Sequence, residues 1–123
     1  MIGYNRLGIN GRLGNQMFQY AALRGIAAKY NYQWCIPPLD HNTLPMAEYV
    51  LFDGLKMSTV EEHNFGFIPN THPTINERNF DFDEESFENF PDDVNVDGYR
   101  QSPKYFNHIE DIIRKDFTFK DEI

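Results

Sequence analysis

A strand, a glycine-punctuated loop, a helix and a second strand are predicted within the first 38 residues, and few folds accommodate that order. Apolar residues between Met1 and Ile9 favour a short strand, whereas Phe18, Ala21, Ala22 and Gly25 recur at the spacing of a helix from Asn15 to about Lys29. Gln33–Ile36 predicts the second strand, closed by two prolines. This order is typical of a βαβ unit, so the sequence predicts an α/β fold with a parallel sheet.

Length and composition predict one domain covering residues 1–123. A chain of 123 residues with 41% hydrophobic and 15% aromatic residues can bury one core and is too apolar to be disordered. The single cysteine, Cys35, excludes an internal disulfide framework and a cysteine-built metal site. The net charge of −8 argues against a nucleic-acid partner.

Targeting signals are not predicted from the sequence. No run approaches the roughly 20 apolar residues of a membrane span. Asn5 and Arg6 stand where a signal peptide would be apolar. We therefore expect a cytoplasmic protein, with peripheral association with membranes left open.

The second half of the chain has weaker patterns. Val94–Asp97 predicts a third strand, and residues 70–79 are interpreted as a loop. Aromatic residues between Phe80 and Pro91 are expected to attach a loop to the core. Ser102 followed by proline is typical of a helix start, so a helix is predicted over Pro103–Lys115.

The charge is unevenly distributed. Residues 1–39 contain four basic residues and no Asp or Glu, whereas the other 84 residues carry a net charge of −12. The acids are densest between Glu77 and Asp97, which we interpret as a solvated surface. Because carboxylates repel anions, the acid-free segment is the part of the chain suited to an anionic ligand.

The string GRLGNQMFQYA at residues 11–21 follows a predicted strand and opens a helix. Glycines let the backbone approach a ligand, free N–H groups at a helix start attract anions, and Arg12 adds a guanidinium suited to phosphate. Alternatively, Gly11 and Gly14 only form a tight turn, or the loop binds another nucleotide. Neither the dinucleotide fingerprint nor the P-loop motif is present.

GRLGNQMFQYA resembles the N-terminal motif of the α-1,2-fucosyltransferases, glycosyltransferase family 11. A second segment, Asp97–Phe106 (DGYRQSPKYF), is similar to the GY-x-QS-x-KYF segment of that family. The Ile-Ile-Arg at residues 112–114 and Phe117 follow it, as they do in the family. The two motifs occur in the family's order, so the resemblance covers most of the chain.

The resemblance implies a two-domain GT-B fold whose N-terminal half has a Rossmann-like parallel sheet with flanking helices. It implies transfer of fucose from GDP-fucose to the 2-hydroxyl of a galactose-terminated glycan, with inversion and with no cofactor or metal. The family's H-x-R-x-x-D motif occurs later in its chains, and none of the four histidines here begins one. We therefore expect this chain to correspond to the N-terminal half. A separate C-terminal half or self-association would then cover the face that it leaves open.

The resemblance also assigns residues to a donor- and substrate-binding site: Gly11, Arg12, Gly14, Asn15, Gln16, Tyr99 and Gln101. Asn15 either contacts the donor or only caps the helix, and Tyr99 is either a site residue or a core aromatic. Gln101 either orients a sugar hydroxyl or forms a hydrogen bond within a turn. No general base is identified. The alternative function is a non-catalytic glycan-binding module or an inactive remnant of a truncated transferase.

Overall fold

In the computed structural model, which describes residues 1–9, 13–39, 52, 54–78 and 82–120, the core is built on a small parallel sheet. Its strands pair in the order β2-β1-β4-β3, and every pairing is parallel. Their bounds are β1 Ile2–Gly3, β2 Trp34–Cys35, β3 Thr74–Ile75 and β4 Asn95–Val96. The predicted α/β class with a parallel sheet is therefore confirmed.

Helix α1, Leu13–Tyr30, connects β1 to β2 and is the longest helix of the described residues. The predicted helix is confirmed, but it begins before Asn15. Asn15 lies in the first turn, which excludes the alternative that it caps the helix. Ala21, Ala22 and Gly25 of the predicted pattern are buried. Gly25 lets another segment approach closely, because a Cβ there would lie 1.8 Å from the Tyr105 carbonyl oxygen.

Two predictions for the second half of the chain are wrong. The predicted loop over residues 70–79 contains β3, whose position is fixed by its parallel pairing with β4 rather than by a local pattern. The segment from Pro103 is not one helix. Two 3₁₀ turns, Pro103–Tyr105 and Asn107–Ile109, precede the short helix α3, Glu110–Asp116. Phe106, at φ −137°, separates the two turns.

Contacts with α1 explain why the helical pattern breaks after Pro103. The Tyr105 and Phe106 backbone lies directly against Gly25. His108 Nε2 lies 2.8 Å from the Gly25 carbonyl oxygen, which fixes the second turn to the same place. The predicted start is confirmed, since the Ser102 side chain accepts a hydrogen bond from the Lys104 N–H.

The aromatic segment before β4 is attached to the core as expected, although part of it is helical. Helix α2 covers Glu84–Glu88, and Phe87 and Phe90 are buried. Phe82, Phe87 and Tyr105 pack edge to face, with ring centroids 4.8–5.8 Å apart. Within the described residues, no helix is both long and apolar enough to cross a membrane.

Asp83 at the start of α2 should make the fold sensitive to acid. It is buried, caps α2 by accepting from the Ser86 N–H, and pairs with Arg78 at 2.6 Å. The Arg78 guanidinium holds the pKa of Asp83 down to about 2, from 3.8. A carboxyl group whose pKa is lower in the folded state than in the unfolded state stabilises the fold at pH values above its unfolded-state pKa. This stabilisation is lost as the pH falls through the folded-state pKa.

We therefore expect wild type to lose about 1–2 kcal/mol of this stabilisation between about pH 4 and pH 2, allowing for solvent screening at Arg78. Asp83→Asn should already lack it at neutral pH and show a flatter acid profile. Urea unfolding at several pH values measures the difference. Glu84→Gln, an exposed neighbour on α2, is the control. If the free energy of unfolding falls equally with pH in wild type and Asp83→Asn, Asp83 is not the source of the acid sensitivity.

Candidate functional site

The two motifs meet outside the carboxyl ends of β1 and β4, which are neighbouring parallel strands. The chain leaving β1 leads into α1, and the chain leaving β4 leads into residues 97–102. In α/β proteins ligands bind outside the carboxyl ends of the strands, where such connections gather. The candidate site therefore lies at this edge of the sheet.

A hydrogen bond joins the two motifs directly. Gln101 Nε2 donates to Asn15 Oδ1 at 3.0 Å, although the two residues are 86 positions apart in the chain. Gln101 is exposed and Asn15 is half-buried, so the amide pair lies at the surface. This pair brings together two of the residues that the resemblance assigned to one site.

Gly14 lies beside this pair in the first turn of α1 and is exposed. Gly14 does not form the tight turn that was one alternative from the sequence: it is helical, and the glycines with positive φ among the described residues are Gly8, Gly54 and Gly98. A Cβ on Gly14 would meet no atom within 4 Å, so the surface above it is open. Gly11 and Arg12 lie outside the described residues.

Gln16 is placed differently from its neighbour Asn15. It is buried, and its Oε1 accepts a hydrogen bond from the Phe52 N–H at 3.0 Å. The structure thus brings together Asn15 and Gln101 but directs Gln16 into the interior. Adjacent residues of a helix point about 100° apart, which the motif alone does not reveal.

Tyr99 is not a core aromatic, the alternative that the sequence left open. Its side chain is 55% exposed, in the loop that follows β4. It makes no hydrogen bond or ring contact with other residues that the structure describes. The neighbouring core aromatic is Tyr105, whose hydroxyl is fully engaged: it donates to Glu77 and accepts from the Asp83 N–H.

Arg100 is a structural residue of this part of the fold that the sequence did not reveal. It is fully buried and has a φ of +53°. Its guanidinium donates to the carbonyl oxygens of Asp97 and Ile75 at 3.0 and 3.1 Å, and to the Tyr105 hydroxyl at 3.4 Å. A buried guanidinium needs such partners, and these tie the carboxyl ends of β3 and β4 together. No local pattern signals a buried arginine.

A second buried polar group lies at the end of β1. The Tyr4 hydroxyl has no hydrogen-bond partner among the described residues. Burial raises the pKa of Tyr4 strongly, and the nearby Asp97 carboxylate raises it further. Tyr4 is therefore neutral, close to the charges of Asp97 and Arg100.

Two basic residues of the acid-free segment, Arg24 and Lys29, lie away from this site. Arg24 stacks over Trp34 and pairs with Asp116 at 3.3 Å, and Lys29 pairs with Glu88 at 3.0 Å. Both cations therefore serve structural contacts farther along α1. Three or more His, Cys, Asp or Glu side chains do not cluster into a metal site within the described part of the chain.

Comparison with known proteins confirms the resemblance. The galactoside α-(1,2)-fucosyltransferase 2 of Sus scrofa is 31% identical over 114 residues, and that of Hylobates lar is 31% identical over 117. That of Pongo pygmaeus is 30% identical over 114. Each match covers 92% of this chain, which spans 31% of the length of these relatives. No family model and no solved structure matches the chain.

Proposed function

We propose that this chain supplies the N-terminal half of a GT-B-type α-1,2-fucosyltransferase site, as a single domain over residues 1–123. The reaction is the inverting transfer of fucose from GDP-fucose to the 2-hydroxyl of a galactoside. The observation that carries the proposal is the hydrogen bond from Gln101 to Asn15, since it joins both fucosyltransferase-like motifs at the edge of the sheet where α/β proteins bind ligands.

The start of α1 is suited to stabilise the negative charge that develops on GDP in this reaction. As the bond from fucose to the diphosphate breaks, negative charge grows on GDP, and preorganised N–H donors stabilise it. The N–H groups in the first turn of a helix have no partner within the helix, and the first turn of α1 has no acidic residue and an open surface at Gly14. In this proposal Gly11 and Arg12 complete the anion site, Gln16 holds the first turn in place, and Asn15, Tyr99 and Gln101 face the substrates.

Asn15→Ala and Gln101→Ala should each weaken GDP-fucose binding by about tenfold, the effect of losing a well-placed hydrogen bond. The double variant should lose less than the product of the two effects, because the residues act as a bonded pair. Isothermal titration of the full chain with GDP-fucose measures this. Gln33→Ala, an exposed glutamine before β2, is the control. Unchanged affinity in both single variants would count against the site.

Transfer is tested separately from binding. GDP-fucose turnover and transfer to a β-galactoside are assayed with this chain alone and with a supplied C-terminal half of a related transferase. We expect transfer in the presence of the second half. Failure in both settings, with GDP-fucose binding retained, would reject the enzymatic proposal and favour a binding module.

A further inference from the structure

Glu77 lies in the loop after β3 and packs against the loop after β4. Its own N–H donates to the Asn76 side-chain oxygen at 2.8 Å. A Cβ on Gly98 would lie 2.9 Å from the Glu77 Cβ and 3.0 Å from the Asn76 side-chain oxygen, so the absence of a side chain at Gly98 lets the two loops approach closely. The half-buried Glu77 side chain is therefore placed beside residues 97–101.

Both carboxylate oxygens of Glu77 accept hydrogen bonds from residues that flank Gln101. Oε1 accepts from the N–H of Arg100, the residue directly before Gln101, at 3.1 Å. Oε2 accepts from the hydroxyl of Tyr105, four residues after Gln101, at 2.6 Å. Arg100 and Tyr105 are both fully buried. One side chain therefore holds the 100–105 segment at both of its ends.

The backbone conformation of this segment requires such support. Arg100 has a φ of +53°, in the left-handed region, which is unfavourable for a non-glycine residue and persists only where the surroundings enforce it. The bonds from its guanidinium to the Asp97 and Ile75 carbonyl oxygens fix its side chain. The bond to Glu77 instead fixes its backbone N–H. That bond therefore restrains the direction in which the chain continues into Gln101.

Gln101 depends on this restraint more than its partner does. Asn15 is carried by the 18-residue helix α1, whereas Gln101 lies between β4 and the first 3₁₀ turn, outside any helix or strand. The bond from Gln101 Nε2 to Asn15 Oδ1 is 3.0 Å long, and hydrogen bonds weaken steeply when the donor is misdirected. The backbone at Gln101 must therefore be held accurately for the pair to form.

We propose that Glu77 is a positioning residue of the candidate site. By accepting from the Arg100 N–H and the Tyr105 hydroxyl, its carboxylate orients Gln101 for the hydrogen bond with Asn15. Glu77 acts through Gln101 and is not assigned a contact with a ligand. The consequence for donor binding rests on the proposed function, whereas the orientation of Gln101 is tested without a ligand.

The side-chain amide resonances of Gln101 and Asn15 in the ligand-free full chain measure the orientation by NMR. Glu77→Ala and Tyr105→Phe should each shift these resonances toward the values of solvent-exposed amides. Tyr20→Phe is the matched control, because it also deletes one buried hydroxyl, but from a contact with the end of α3, and it should leave them unchanged. Unaltered resonances in Glu77→Ala, or equal shifts in Tyr20→Phe, would overturn the proposal.

A conservative variant keeps the test decisive if Glu77→Ala does not fold. Glu77→Gln has the shape of the original side chain and retains an oxygen that can accept from the Arg100 N–H. It should shift the same resonances by a smaller amount than Tyr105→Phe does. Unchanged resonances in both Glu77→Gln and Tyr105→Phe would reject the positioning role.

Affinity for GDP-fucose distinguishes positioning from general structural support. Glu77→Ala should weaken binding by up to about tenfold, which is the loss expected for Gln101→Ala. In the Gln101→Ala background, Glu77→Ala should cause no further loss, because its effect passes through Gln101. A full additional loss in that background would show that Glu77 acts by another route, against the proposal.

Failure of this proposal is distinguishable from failure of the proposed function. If wild type binds no GDP-fucose but Glu77→Ala shifts the amide resonances, the positioning role is retained and the transferase is rejected. If GDP-fucose binding depends on Asn15 and Gln101 but the amide resonances do not depend on Glu77, the positioning role alone is rejected.

Discussion

Asp116→Ala should lower the free energy of unfolding by about 3–5 kcal/mol, the usual cost of removing one partner from a buried charged network. Asp116 is fully buried at the end of α3. Its Oδ1 accepts from the Thr59 N–H at 2.7 Å. Its Oδ2 accepts from the Tyr20 hydroxyl at 2.5 Å and pairs with Arg24 at 3.3 Å.

The size of the effect follows from what the substitution leaves behind. Without the carboxylate, the Thr59 N–H and the Tyr20 hydroxyl are buried without an acceptor, and the Arg24 guanidinium loses the negative charge with which it pairs. The network also joins α1, the loop at residue 59 and the end of α3, so its loss should loosen all three together. Asp116→Asn keeps the shape but directs an amide N–H at donors, and it should also destabilise the fold.

Urea unfolding followed by circular dichroism measures the difference. Asp111→Ala, an exposed aspartate on the same helix, should change the free energy of unfolding by less than about 0.5 kcal/mol. If Asp116→Ala and Asp111→Ala have equal stability, the network does not hold these elements together.

The parts of the fold that were predictable are those with a strong local pattern. Helix α1 has Phe18, Ala21, Ala22 and Gly25 at helical spacing over about two turns. Three predicted strands contain β1, β2 and β4. Strand β3 has only two residues, Thr74 and Ile75, within a polar segment, and it is a strand because it pairs with β4. The helix predicted from Pro103 fails for a similar reason, since contacts with Gly25 override the local pattern.

The candidate site was only partly accessible from the sequence. The resemblance placed Asn15 and Gln101 in one site, but no spacing rule relates residues 86 positions apart, and only the fold brings them into contact. Asn15 and Gln16 are neighbours in the chain, but only Asn15 reaches the surface pair, because the Gln16 side chain turns inward on α1. Arg100 was not predicted to be buried, because nothing in a single sequence distinguishes a buried, fully bonded arginine from an exposed one.

Gly25→Ala should destabilise the fold by about 3 kcal/mol, although alanine is the better helix former by about 1 kcal/mol. The added Cβ would lie 1.8 Å from the Tyr105 carbonyl oxygen and 2.9 Å from the Phe106 Cα. Both obstructing groups are backbone, so no side-chain rotation relieves the clash. The 103–109 segment must instead move away from α1.

That movement links stability to the candidate site, because the displaced segment begins just after Gln101. Gly25→Ala should therefore also weaken the contact between Gln101 and Asn15, seen as altered side-chain amide resonances of both residues by NMR. Gly14→Ala is the matched control on the same helix, since its Cβ would meet nothing within 4 Å and should stabilise α1 by up to about 1 kcal/mol. Equal melting temperatures for the two variants would show that α1 and the 103–109 segment do not require this close approach.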